Sequence, residues 1–223
     1  MGFSKEELQR ISAKDFKPST RGLIKKSIFS GYQLVADLYN SEKWLAWRIG
    51  DDYRRYLIRI AVEHQLKAYV ESGYIKMEAQ TTLNKSGNYS HLEITSDNCI
   101  ITINQVQSKS MIPRKAKFRE KLASMSQQYR IETSESNVSP LIKQKYYGML
   151  TYGNNKDQPE FINLGFPDVN TGRWIYRLDL IDEIFELDVP TKEIVAIEEE
   201  ALVKVKESIK KVNLNHEASG NTK

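Results

Sequence analysis

Three histidines, His64, His91 and His216, and a single cysteine, Cys99, are the soft metal ligands of this chain. No CxxC or HExxH spacing gathers them, so a structural zinc site is not expected. No GxSxG elbow presents a serine nucleophile. Neither GxxxxGK[ST] nor GxGxxG occurs, which sets aside a P-loop or dinucleotide cradle. Cys99 opens an apolar stretch and reads as a small buried hydrophobe rather than a nucleophile. His64 falls between the apolar stripe and the charged ladder of a helix, the place of a boundary histidine.

Carboxylates are the next candidates. Acids that converge near a lysine can hold Mg²⁺ and activate a water. Glu93, on a strand, and Asp97, in the turn after it, are weak catalytic candidates. The order helix, three strands, helix, strand resembles that of nuclease domains of the restriction-endonuclease type. Such domains place an acid on one strand and acid-x-Lys on the next. Here the third strand offers Asn104, Gln105 and Gln107, with Lys109 beyond, and the triplet is absent. Asp179-Leu180-Ile181 lacks the lysine too. On that resemblance the site is degenerate. No cofactor is expected, and Mg²⁺ enters only with the nuclease alternative.

The most specific signal is basic. Lys109, Arg114, Lys115, Lys117, Arg119 and Lys121 stand against one acid, Glu120. Lysines and arginines reaching phosphate oxygens supply most non-specific nucleic-acid affinity. Lys109, Arg114, Lys115, Lys117 and Lys121 are therefore the expected nucleic-acid-binding residues, on a helix over 109–121. Pro113 suits its first turn. Phe118, Leu122 and Met125, at i, i+4 and i+7, are expected to dock it on the fold. Tyr146, Tyr147, Tyr152, Trp174 and Tyr176 could stack on bases, although strand alternation sends some of them into the core. The plain alternative for the charges is a solvated helix face. A second cluster, Lys17, Arg21, Lys25 and Lys26, lies near the N-terminus, and acids gather in Asp179–Glu200. That polarity suggests an anionic partner at one surface.

These residues need elements to hold them. A short helix is expected over Lys5–Ser12, and one or two helices over Gly22–Leu45. The clearest helix spans Asp52–Glu71. Leu57, Ile58, Ala61, Val62, Leu66, Tyr69 and Val70 form its apolar stripe, and Arg55, Arg59, Glu63, Lys67 and Glu71 an i,i+4 charge ladder opposite. Asp51 or Asp52 is expected to cap it, and Gly73 to end it. The period then changes from 3.6 to 2. Ile75–Leu83, Tyr89–Thr95 and Cys99–Val106 read as one antiparallel meander. Lys145–Tyr152, Glu160–Phe166 and Trp174–Leu180 read as a second. A hairpin tip at Lys85 also admits a wing-like reading. Thr191–Val212 has the pattern of a long amphipathic helix, and 213–223 of a disordered tail.

Strands in blocks joined by short turns argue for α+β, with two antiparallel three-stranded meanders or one mixed sheet, flanking helices and a long C-terminal helix. The expected domain is 1–212, with an internal boundary near 131–140. The chain has 223 residues, 40% hydrophobic and 28% charged, with a net charge of +4. That balance suits a folded soluble domain rather than a disordered chain. No apolar run is long enough to cross a membrane, and the charged N-terminus is unlike a secretory signal. With one cysteine, no intrachain disulfide can form, and a cytoplasmic setting follows. The functional expectation is a non-enzymatic protein that binds DNA or RNA through the basic helix. The alternatives are a factor acting on a protein partner or by self-association, and a nuclease-like fold with a degenerate or unrecognised metal site.

Overall fold

A computed structural model describes residues 3–83, 89–135, 145–153, 155–168 and 171–185. All of these fall in one compact unit, 1–187. The expected helix over 191–212, the tail after it and the hairpin tip at Lys85 lie outside the described residues. So does the second half, 136–140, of the proposed boundary near 131–140; its first half, 131–135, is helical.

Helix α1, Lys5–Asp15, starts where Ser4 accepts a hydrogen bond from the Glu7 amide at 3.1 Å, the usual satisfaction of a free helix-start donor. Pro18 then opens α2, Pro18–Ser41. The apolar run expected to make one or two helices is one helix. It ends in a 3-10 turn, Lys43–Leu45. Helix α3 spans Arg48–Glu71, a turn earlier than the expected start. Trp47 occupies the cap position and makes no side-chain cap, so neither Asp51 nor Asp52 plays that part. Asp51 sits inside the first turn and pairs with Lys156. At the other end Gly73, with φ at 79°, supplies the left-handed residue that glycine adopts without strain. Helices α2 and α3 lie so close that a Cβ on Gly31 would fall 2.8 Å from the Val62 backbone.

Six strands form one mixed sheet in sequence order: β1 Glu78–Leu83, β2 Ser90–Thr95, β3 Cys99–Val106, β4 Tyr146–Gly153, β5 Phe161–Asp168 and β6 Arg173–Asp179. Pairing is antiparallel within β1–β3 and within β4–β6. Between them β3 and β4 run parallel. A parallel pair needs a crossover, and α4, Lys117–Glu135, lies in it. Strand β1 begins later than its alternation suggests. Ile75 is fully buried and its amide bonds back to Tyr69, which ties 74–77 to the end of α3.

Helices cover both faces. Tyr152 of β4 meets Tyr32 of α2 edge-on at 6.1 Å. Tyr147 and Met149, on the opposite face by alternation, pack with Ala123 of α4. No helix among the described residues is long and apolar enough to cross a membrane.

The basic segment departs from expectation. No helix starts at Pro113. Residues 107–116 form an irregular strap, and the helix begins at Lys117. Side chains of the sheet hold the strap by its carbonyls. Asn163 and Arg177 donate to the Lys109 carbonyl at 3.0 and 2.6 Å, and Trp174 to that of Ser110 at 3.1 Å. With two donors on it, the Lys109 carbonyl has both lone pairs engaged and none left for a helical partner. Over Lys117–Ser126 of α4, Ala123 and Ser126 are buried and Phe118 and Leu122 half-buried, whereas Met125 is exposed.

Candidate functional site

The β2–β3 ladder is short. Only Glu93–Thr102, Ile94–Ile101 and Thr95–Ile100 pair. Beyond them Ser90–Leu92 pair with β1 alone, and Ile103–Val106 with β4 alone. The closed end is pinned. Asp15 accepts hydrogen bonds from the Ser96 hydroxyl at 2.5 Å and from the amide and side chain of Asn98 at 2.9 and 2.5 Å. Burial alone would raise the Asp15 pKa. The hydrogen bonds from Ser96 and Asn98 outweigh it and hold the carboxyl below its ordinary value.

At the open end polar side chains from four elements meet. Alternation and register place His91 and Glu93 of β2 on one face with Thr102 and Asn104 of β3. His91 Nε2 lies 2.8 Å from Glu93 Oε1, and its ring stacks on Phe118 of α4 with centroids 3.9 Å apart. Arg119 donates to Asn104 Oδ1 at 2.6 Å and to the Arg114 carbonyl at 2.7 Å. Asn104 donates to Thr102, whose hydroxyl is 2.9 Å from the Tyr147 hydroxyl. From α3, Arg59 donates to the Tyr89 hydroxyl at 2.6 Å and lies over the Tyr89 and Tyr56 rings at 4.8 and 5.5 Å.

A cleft of about 530 Å³ opens over this cluster. Arg55, Arg59, Arg114 and Arg119, with Tyr56 and Tyr89, line it. Asn104, Gln105 and Gln107 add amides, and Asp52 is its one acid. Four buried polar atoms of this cluster have no hydrogen-bond partner: Arg59 Nε and Arg119 Nε, on residues that line the cleft, and Glu63 Oε1 and His91 Nδ1, on residues outside its lining. Arg59 Nε and Glu63 Oε1 are 3.5 Å apart, an ion pair but not a hydrogen bond. Burial raises the Glu63 pKa, against the pull of Arg59 and His91. Burial lowers that of Arg119, which stays charged at any ordinary pH. Burial also pushes the Tyr147 hydroxyl up to about 12. Buried polar atoms without partners are uncommon. Two of these, on Arg59 and Arg119, belong to side chains that line the cleft.

The expected basic residues are dispersed. Lys109 pairs with Asp179. Arg114 lines the cleft. Lys117 and Lys121 line an adjoining hollow that shares Tyr89 and Arg119 with it, and Lys115 is exposed. Because Arg114 lies on the strap, it does not share a helical face with Lys117 and Lys121. In the N-terminal cluster, Arg21 pairs with Glu183 at 2.9 Å and Lys25 bonds to the carbonyls of Ile181 and Glu183. Part of the polarity seen along the sequence is thus neutralised in space. Of the aromatic candidates, Tyr147 and Tyr152 are buried, Tyr176 stacks on Phe166, and Trp174 holds the strap. The rings at the cleft are Tyr56 and Tyr89.

The catalytic candidates do not converge. Glu93 is engaged by His91, and Asp97 is exposed at the pinned end of the hairpin. Among the described residues no three His, Cys, Asp or Glu side chains are grouped to hold a metal ion.

Sequence reasoning missed Arg59, Glu63, Tyr89 and His91 as site residues. Arg59 and Glu63 read as rungs of a solvent ladder, yet their side chains keep only 20% and 16% exposure. A signal was present in Tyr89-x-His91-x-Glu93, a polar face opposite the apolar Leu92 and Ile94. Comparison with protein-family models, curated proteins and solved structures finds no match to this chain.

Proposed function

We propose that the chain is a non-enzymatic nucleic-acid-binding protein that takes phosphate and base in the cleft lined by α3, β3 and the strap. The observation that carries this reading is the convergence of four guanidinium groups and two tyrosine rings on one cleft with a single acid. Arginine reads phosphate through charge-assisted, forked hydrogen bonds. A tyrosine face stacks on any base, worth about 1–3 kcal/mol per base. A hollow of this size admits a nucleotide and not a duplex, so the ligand is a single strand or a splayed end. Arg59 and Arg119 would hold the entering phosphate. Arg114, Lys117 and Lys121 would meet neighbouring phosphates along the rim.

The test is fluorescence anisotropy with labelled single-stranded DNA, single-stranded RNA and a duplex, at about 50 and about 200 mM salt. The expected result is binding to a single strand that weakens steeply with salt, and weaker binding to the duplex. No binding to any of the three at the lower salt would end this reading.

A further inference from the structure

Helix α3 is apolar on two opposite sides. Ile58, Val62, Leu66 and Tyr69 are buried against the fold. On the far side Ile49, Tyr53, Tyr56 and Ile60 stay 52%, 60%, 56% and 45% exposed. At 100° per residue these four fall within about 60° of one another, roughly opposite Ile58 and Val62. Their spacing of 4, 3 and 4 residues is that of a helix-pairing seam. Trp44 and Trp47, 59% and 58% exposed, stand at its N-terminal end. Further along, the same side turns polar at Lys67 and Glu71, which pair at 3.4 Å. The seam is therefore bounded, about 16 Å long at 1.5 Å per residue.

We infer that this face is the contact between two copies of the chain, with α3 packed antiparallel on α3 about a two-fold axis between Tyr53 and Tyr56. The residue order selects the occupant. Ile-Tyr-Tyr-Ile at spacing 4-3-4 reads the same from either end. In an antiparallel pair Ile49 of one copy meets Ile60 of the other, and Tyr53 meets Tyr56. A two-fold interface requires that self-complementarity, and an unrelated partner does not. The area agrees. An aromatic side chain carries about 150–250 Å², and four of them here are more than half exposed. The four aromatics alone expose on the order of 350–580 Å², at the upper end of the patches found on monomers, and the two isoleucines add to it toward the ~800 Å² per partner of a standard interface. The inference does not rest on the nucleic-acid reading, but the two share Tyr56, which also lines the cleft, so the test uses its neighbours.

Light scattering with size exclusion, run on the full chain over a concentration series, should give a dimer. Tyr53→Glu should give a monomer with unchanged helix content by circular dichroism. Register is read by cysteine pairing, since Cys99 is buried and silent. Under mild oxidation, Ile49→Cys mixed with Ile60→Cys should form covalent dimers, and neither variant should do so alone. A wild type that is monomeric throughout would overturn the inference. So would a Tyr53→Glu dimer, or Ile49→Cys linking to itself as readily as to Ile60→Cys.

Discussion

Where β3 meets β4, eight residue pairs run without a break from Cys99–Tyr146 to Val106–Gly153. Where β2 meets β3, three pairs form and the strands then part. Around the first junction lie buried apolar side chains, Leu150, Ile103 and Tyr152 among them. At the mouth of the second lie Arg59, Glu63, His91, Asn104 and Arg119. A sheet gains most from continuous pairing under apolar cover, and a binding site needs polar groups that water or ligand can reach. This sheet keeps the two apart on the two edges of one shared strand, β3. Local departures from the rules of stability tend to mark functional sites.

The sharpest way to break the comparison is to damage the closed junction. Leu150, 1% exposed, is central to it. Leu150→Ala should cost about 2–5 kcal/mol in urea unfolding, while the protein that remains folded keeps its nucleic-acid affinity. A loss of affinity in the folded fraction would show that the two junctions are not separable.

At the open junction the balance should reverse. Tyr89→Ala removes a ring from the cleft and the hydroxyl that Arg59 bonds. It should weaken single-strand binding by about 1–3 kcal/mol, or roughly 5- to 150-fold, as read by anisotropy. Its unfolding midpoint in urea should move less than that of Leu150→Ala. An affinity within twofold of wild type would remove Tyr89 from the site.

The smallest of these effects belongs to the pin that closes the hairpin. Asp15 has its pKa held below the unfolded value, so its contribution is fully present above that value. It is lost as pH falls through the lower, folded-state pKa. Wild-type stability should therefore drop in the acid range, and Asp15→Asn should flatten that part of the profile. Parallel pH profiles for the two proteins would mean that Asp15 does not pin the turn.

Much of this fold was legible. The change of period after Gly73 marks the first strands, and Pro18, Gly73 and the Asp97-Asn98 turn mark boundaries. What hid from the sequence was non-local. The parallel β3–β4 pairing joins residues 47 apart, such as Cys99 and Tyr146, and no local period encodes it. Arg59 and Glu63 satisfy an i,i+4 rule on an exposed helix as well as in a cleft. Only the arrival of Tyr89, just before β2, and of His91 on β2 decides between the two. The segment after Val106 looked helical because its Pro and its charges suit a helix. The carbonyls of Lys109 and Ser110 are taken instead by side chains 54 to 68 residues on.

The central claim is that the half-buried arginines, Arg59 and Arg119, and not the exposed lysines, make the binding site. Two double variants separate them at equal loss of charge: Arg59→Gln with Arg119→Gln, and Lys115→Gln with Lys117→Gln. Both are measured on one labelled single strand at one low salt, with folding checked by circular dichroism. The arginine pair should lose at least about tenfold more affinity than the lysine pair, since charge-assisted bonds at a desolvated site are worth about 1.5–3 kcal/mol each. Equal losses from the two pairs would contradict the account and return the binding to a diffuse basic surface.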